Sequence, residues 1–136
     1  MLKHGVELVY PTSELVNSAR LLVCGGREYS DRDRVFAVLS ELNPAIIIHG
    51  AARGADSLAD EWARSLGSVG IKSFPADWAT NGKSAGPMRN AKMLHEGHPS
   101  LVVAFPGGRG TDDMVRRSLA AGVTVLRIKN GSEARR

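Results

Sequence analysis

The sequence predicts an α/β fold, a Rossmann-like three-layer sandwich around a mostly parallel sheet of about five strands. Three observations predict it. Short runs that are apolar throughout, such as Leu21-Leu22-Val23-Cys24 and Ala45-Ile46-Ile47-Ile48, read as strands buried on both faces. Stretches with apolar residues at helical spacing separate them. Glycine-rich turns follow the strands, and in such sheets the loops after the strands are where ligands bind.

Residues 1–19 lack clear periodicity and read as an N-terminal extension, in which Val6 to Tyr10 forms a short strand before Pro11. The domain proper spans residues 20–128 and begins with the strand Leu21 to Cys24. Asp31 to Leu42 is a helix, with Val35, Val38, Leu39 and Leu42 on one face and Asp31 as its N-cap. Ala45 to Ile48 is the second strand. Ala55 to Leu66 is a helix with Leu58, Ala59, Trp62 and Leu66 in phase. Ile71 to Phe74 is the third strand, Gly82 to Pro87 a loop, and Met88 to His95 a helix. Leu101 to Phe105 is the fourth strand, Asp112 to Ala121 the last long helix, and Val123 to Ile128 the fifth strand. Residues 129–136 form a basic tail, and no internal repeat or second domain is visible.

A chain of 136 residues suits one domain with a real core. No apolar run is long enough to span a bilayer and no signal-peptide pattern stands at the N-terminus, so no membrane partner is expected. The single cysteine, Cys24, cannot form an internal disulfide and points to a reducing cytoplasm. The formal net charge of +4 invites nucleic acid as a partner. Its distribution argues against that, because residues 1–128 hold 15 Lys and Arg against 13 Asp and Glu, with no block of like charge.

The most informative stretch is Phe105-Pro106-Gly107-Gly108-Arg109-Gly110-Thr111, between a strand and a helix. Its glycines let backbone approach a ligand, and the helix start offers free N–H groups that suit phosphate. Gly25-Gly26-Arg27 follows the first strand but has neither the dinucleotide spacing nor a Gly-Lys-Ser/Thr end. Arg27 is a phosphate clasp or a solvated arginine after a tight turn. After the second strand come His49, Gly50, Gly54 and Asp56. Asp56 caps the next helix or accepts from ribose hydroxyls, and His49 contacts ligand or bonds nearby backbone. Asp77 is a candidate site carboxylate, and Trp78 stacks on a base or covers the core edge. Arg89-Asn90, beneath Gly86-Pro87, suits phosphate or ribose recognition or is a surface helix start. His95 and His98 are interrupted by Gly97 and read as a turn rather than a metal pair. Cys24, inside a buried strand, is not a nucleophile. No metal or other cofactor is expected.

Together, Gly25-Gly26-Arg27 with Asp31, His49-Gly50 with Gly54-Ala55-Asp56, Asp77-Trp78, Gly86-Pro87 with Arg89-Asn90, and Pro106-Gly107-Gly108 with Gly110-Thr111 resemble the SLOG superfamily, over about Leu21 to Ile128. LONELY GUY phosphoribohydrolases and DNA-processing protein A share that fold. The chain looks most similar to the YspA-like branch of small bacterial and phage proteins, thought to sense or process nucleotide-derived ligands. LONELY GUY enzymes carry a motif similar to Pro-Gly-Gly-x-Gly-Thr-x-x-Glu. Here the last position is Met114, so the resemblance brings no catalytic glutamate. Arg89 matches their arginine, with Asn90 in place of the following lysine. The turn Gly50 to Gly54 and the Arg-Asn pair are similar to DNA-processing protein A.

The resemblance implies a module that holds a nucleotide-type phosphorylated ligand of ADP-ribose or NAD kind. Phosphate would sit on Gly25-Gly26 and Gly107-Gly108, neutralised by Arg27 and Arg89, with Asp56 or Asp77 on ribose and Trp78 at the base. It also implies, through LONELY GUY relatives, a homodimer. The alternatives are a nucleotide N-glycosidase using Asp77, Asp112 or Asp113 with Arg89, and a single-stranded DNA-binding protein.

Overall fold

The computed structural model describes the backbone of residues 6–8 and all of residues 19–129. The basic tail beyond Lys129, most of the predicted extension, and Val9 and Tyr10 of its predicted strand lie outside the described residues.

Six strands form one sheet in the order β1-β6-β5-β2-β3-β4. They are β1 (Val6–Leu8), β2 (Arg20–Cys24), β3 (Ile46–His49), β4 (Gly70–Ser73), β5 (Leu101–Ala104) and β6 (Val125–Ile128). The five strands from β2 to β6 run parallel, and β1 pairs antiparallel along the β6 edge, Val6 opposite Ile128. The helices are α1 (Arg32–Leu42), α2 (Ala55–Leu66), the single turn α3 (Trp78–Asn81), α4 (Ala85–Gly97) and α5 (Arg109–Ala120).

Side chains alternate across each strand, so the sheet builds two cores. Leu21, Val23, Ile47 and Val103 face one way and pack with Val35, Leu39, Ala59 and Trp62 of α1 and α2. Leu22, Cys24, Ile48 and Val102 face the other way and pack with Met93 of α4 and Met114 and Val115 of α5. The near-continuous apolar strands follow from this double coverage. Asp31 is the N-cap of α1, and its carboxylate accepts from the Arg34 N–H at 3.1 Å. Leu66, in phase on paper, is 53% exposed at the end of α2.

Several boundaries differ from the sequence expectation: β4 is shifted by one residue to Gly70–Ser73, β6 starts at Val125 rather than Val123, α4 runs on to Gly97, and three helix starts change. Gly82 to Pro87 is not a loop: Gly82–Ser84 is a 3-10 turn, and α4 starts at Ala85. Pro87 falls in the first turn of α4, where a missing N–H costs nothing. Trp78–Asn81 is helical because Asp77 caps it, accepting from the Thr80 N–H at 3.1 Å. Last, α5 starts at Arg109 rather than Asp112, with Gly108 as its N-cap. His95 and His98 are likewise not one turn: His95 lies in the last turn of α4, which ends at Gly97, and His98 caps it at φ 51°.

The chain moves outward from β2 through β3 to β4, then returns to lay β5 on the other side of β2. The loops after β2 and β5 therefore diverge to opposite faces and leave a crevice between them. They are tied at its base, where the Gly26 N–H donates to the Pro106 carbonyl at 2.9 Å.

Candidate functional site

A cavity of about 750 Å³ opens at this crossover. The β2 end supplies Cys24, Gly25, Gly26 and Arg27, and the start of α5 supplies Gly108 to Asp113. Helix α4 with the turn before it adds Lys83, Gly86, Pro87, Arg89, Asn90 and Met93, and Ala52, Asp56, Trp78 and Arg116 complete the wall.

The glycines here make close approach possible. A Cβ on Gly26 would lie 3.0 Å from the Gly107 Cα, so the two turns touch backbone to backbone. Gly54, at φ 82°, rests against the Gly26 carbonyl, which a Cβ would approach to 2.1 Å. Gly25 to Gly26, Gly54 and Gly107 are thus one packed knot beneath the cavity, while Gly108 and Gly110 face open space.

Arg89 projects from α4 into the crevice. Its Nη1 donates to the Gly50 carbonyl, and its Nε donates to Asn90 Oδ1 at 3.0 Å. No carboxylate among the described residues pairs with it, although Asp56 is close enough to favour its charge. Burial and the neighbouring Arg27 hold its pKa below the ordinary arginine value. The arginine is nonetheless cationic at any physiological pH. The guanidinium is thus partly buried and held by two neutral oxygens, with its orientation already set.

Asn90 spends its whole amide on architecture. Its Nδ2 donates to the Gly110 carbonyl at 3.2 Å and to Asp113 Oδ2 at 3.0 Å, binding α4 to the start of α5. Asp113 also accepts from Arg117 at 2.8 Å and Arg116 at 2.6 Å. Burial raises its pKa, but Asn90 and the two arginines outweigh that and hold it below the usual carboxylate range. So engaged, Asp113 is a fixed anion and a poor proton donor.

Asp56 is buried and closes the loop after β3. Its Oδ2 accepts from the Gly50 N–H at 3.0 Å and the Ala52 N–H at 3.3 Å. Burial raises its pKa, against the pull of those N–H groups, His49 and Arg89. His49 turns away from the cavity. Its Nδ1 accepts from the Ala51 N–H at 2.9 Å, which leaves Nε2–H to donate to Asp60 at 2.7 Å. Of the two readings of His49, this geometry matches the backbone-bonding one.

Asp77 does not line the cavity; its carboxylate caps α3. Trp78 does line it, 47% exposed, with the Arg27 guanidinium 5.0 Å from its ring centroid. Thr111 is buried at the cavity wall. Met114 lies in the core against α4 and β5, so no carboxylate stands at that helix position. Burial drives the Cys24 thiol far above its ordinary pKa, leaving it un-ionised.

Lys83, Arg109 and Arg116 line the cavity without having been singled out in the sequence. The signal was available. Once α5 begins at Arg109, residues 109, 112, 113 and 116 share a helix face.

The crevice at the crossover of a parallel sheet defines the Rossmann-like α/β class. Within it, a family model described as the YspA, cpYpsA-related SLOG family matches residues 19–80. The gene 61 protein of Mycobacterium phage D29 is 38% identical over 118 aligned residues, covering 79% of this chain and 94% of that protein. The chain belongs to the YspA, cpYpsA-related SLOG family. Membership supports a function related to nucleotide-type ligands. Among the described residues, no helix is long and apolar enough to cross a membrane.

Proposed function

We propose that this protein binds a phosphorylated, nucleotide-derived ligand in the crossover cavity. The observation that carries the reading is Arg89: a partly buried cation with no carboxylate pair among the described residues, set by Gly50 and Asn90 to face the cavity. The N–H groups at the start of α5, unpaired among the described residues, add a second anion-attracting element on the opposite wall. Trp78 offers an exposed aromatic face for a base.

Binding without efficient turnover fits the site better than hydrolysis. Base release from a nucleotide needs a carboxylate that can manage protons or face the developing positive charge. Met114 is core, Asp113 is locked by Arg116 and Arg117, Asp112 pairs with Arg127, Asp56 is turned to the Gly50 and Ala52 N–H groups, and Asp77 is a helix cap.

Calorimetry with AMP and adenosine tests the reading. AMP binds the wild type and adenosine binds more weakly. Arg89→Ala costs AMP about 1.5–3 kcal/mol, the scale of a charged hydrogen bond, and costs adenosine much less. Equal losses for both would remove the phosphate role of Arg89. Chromatography of the same AMP samples shows no accumulation of free adenine; rapid release abolished by Asp113→Asn would make the protein an enzyme.

A further inference from the structure

A second, smaller cavity of about 310 Å³ adjoins the first. The two share Arg27, Ala52, Trp78 and Arg89 in their walls. Their charge differs. The larger cavity mixes five cationic side chains with three carboxylates. The smaller one is lined by Arg27, Arg53 and Arg89, with no carboxylate among its described lining residues.

We propose that this annex takes a second anionic group of the same ligand, which makes the ligand class a nucleoside bisphosphate. One phosphate lies in the crossover cavity and the other lies among Arg27, Arg53 and Arg89. The proposal rests on the nucleotide reading of the main cavity and adds the number and placement of the phosphates.

The donors available in the annex set this chemistry. The N–H groups of Gly50, Ala51 and Ala52 are already spent on Asp56 and His49, so the annex offers a ligand no free amide from that stretch. The cationic donors on its wall are guanidinium groups, whose planar fork matches phosphate oxygens. Arg27 is kept on the shared wall by the Trp78 ring. Arg89 has spent Nη1 and Nε on Gly50 and Asn90, and its Nη2 has no partner among the described residues. Arg53 pairs with Glu28, but the two side chains are 70% and 87% exposed, so that pair gives way to a phosphate at small cost. An anion among three like charges also relieves their repulsion.

Calorimetry on the full chain, at one ionic strength, compares AMP, ADP and adenosine 3′,5′-bisphosphate. The bisphosphate binds about tenfold tighter than AMP, the gain of one charged contact, and ADP gains less because its phosphates leave the sugar together. Arg53→Ala, an exposed change with no packing to lose, removes most of the bisphosphate advantage and leaves AMP within about twofold. If AMP binds and the bisphosphate gains nothing over it, or if Arg53→Ala weakens both by one factor, the annex is not a phosphate site and the nucleotide reading stands. If none of the three binds, both readings fall. A ten-residue single-stranded DNA that binds more tightly than the bisphosphate, with a steep loss in salt, would instead make the annex part of a nucleic-acid track and overturn the proposal.

Discussion

Two glycine turns lead into helices on either side of β2: residues 50–54 into α2 and residues 106–108 into α5. In the first, the N–H groups of Gly50 and Ala52 go to Asp56, that of Ala51 goes to His49, and that of Ala55 goes to the Gly26 carbonyl. In the second, as at α2, no side chain caps the helix, but the N–H groups of Arg109, Gly110 and Thr111, which line the cavity, have no partner among the described residues. The loop before α2 is braced from within, and the start of α5 is left open to the cavity. The difference lies at the second helical residue. In α2 it is Asp56, whose carboxylate folds back over the turn. In α5 it is Gly110, and the acids that follow turn to arginines instead, Asp112 to Arg127 and Asp113 to Arg116 and Arg117. A glycine before a helix marks close backbone approach; an acid at the second helical position decides whether the approach is already occupied.

The largest test of this contrast is steric. Gly54→Ala places a Cβ against the Gly26 carbonyl at a positive φ and costs about 3 kcal/mol in urea unfolding. Gly108→Ala, with nothing within 4 Å of its Cβ, stays within about 0.5 kcal/mol. Equal tolerance would mean that the closed turn is not packed as described.

A smaller effect separates the two carboxylates by sign. The pKa of Asp113 is lowered in the fold, so its contribution is present above the unfolded value and is lost as pH falls through the folded one. Asp113→Asn therefore costs about 1–2 kcal/mol at neutral pH, and the deficit shrinks below about pH 4. The pKa of Asp56 is raised, so its contribution is complete below the unfolded value and is lost as pH climbs through the folded one. Asp56→Asn, whose amide oxygen still accepts from Gly50 and Ala52, gains on the wild type as pH rises above about 4. Parallel pH curves for the two variants would erase the distinction.

The smallest signal is spectroscopic. On titration with AMP, the amide resonances of Arg109, Gly110 and Thr111 shift first, while those of Gly50 and Ala52, already bonded to Asp56, move little. Shifts confined to Gly50 and Ala52 would reverse the assignment of the open turn.

The parallel strands, α1 and α2 were legible because apolar runs and helical spacing carry their own periodicity. Helix α2, from Ala55 to Leu66, matches to the residue because Gly54 and Gly67 bracket it. The starts of α4 and α5 were hidden by the same glycines and proline that made their loops look like loops: Pro87 and Gly110 sit inside first turns, where neither breaks a helix. The site was legible in outline. Arg89 and the glycine turns stand where the motif order placed them, but Asp77 and His49 are spent on a cap and on Asp60. Their roles depend on partners distant in the chain or on local turns too short to leave a period.

The two tryptophans of this chain stand in opposite surroundings. Trp62 is enclosed beneath α1 and donates its indole N–H to Ser40 at 3.0 Å. Trp78 stands at the cavity, half open to water, with a guanidinium over its ring. The protein's intrinsic fluorescence is therefore two signals in one: a blue-shifted emission that reports the integrity of the fold, and a red-shifted one, accessible to small quenchers, that reports what occupies the mouth of the cavity.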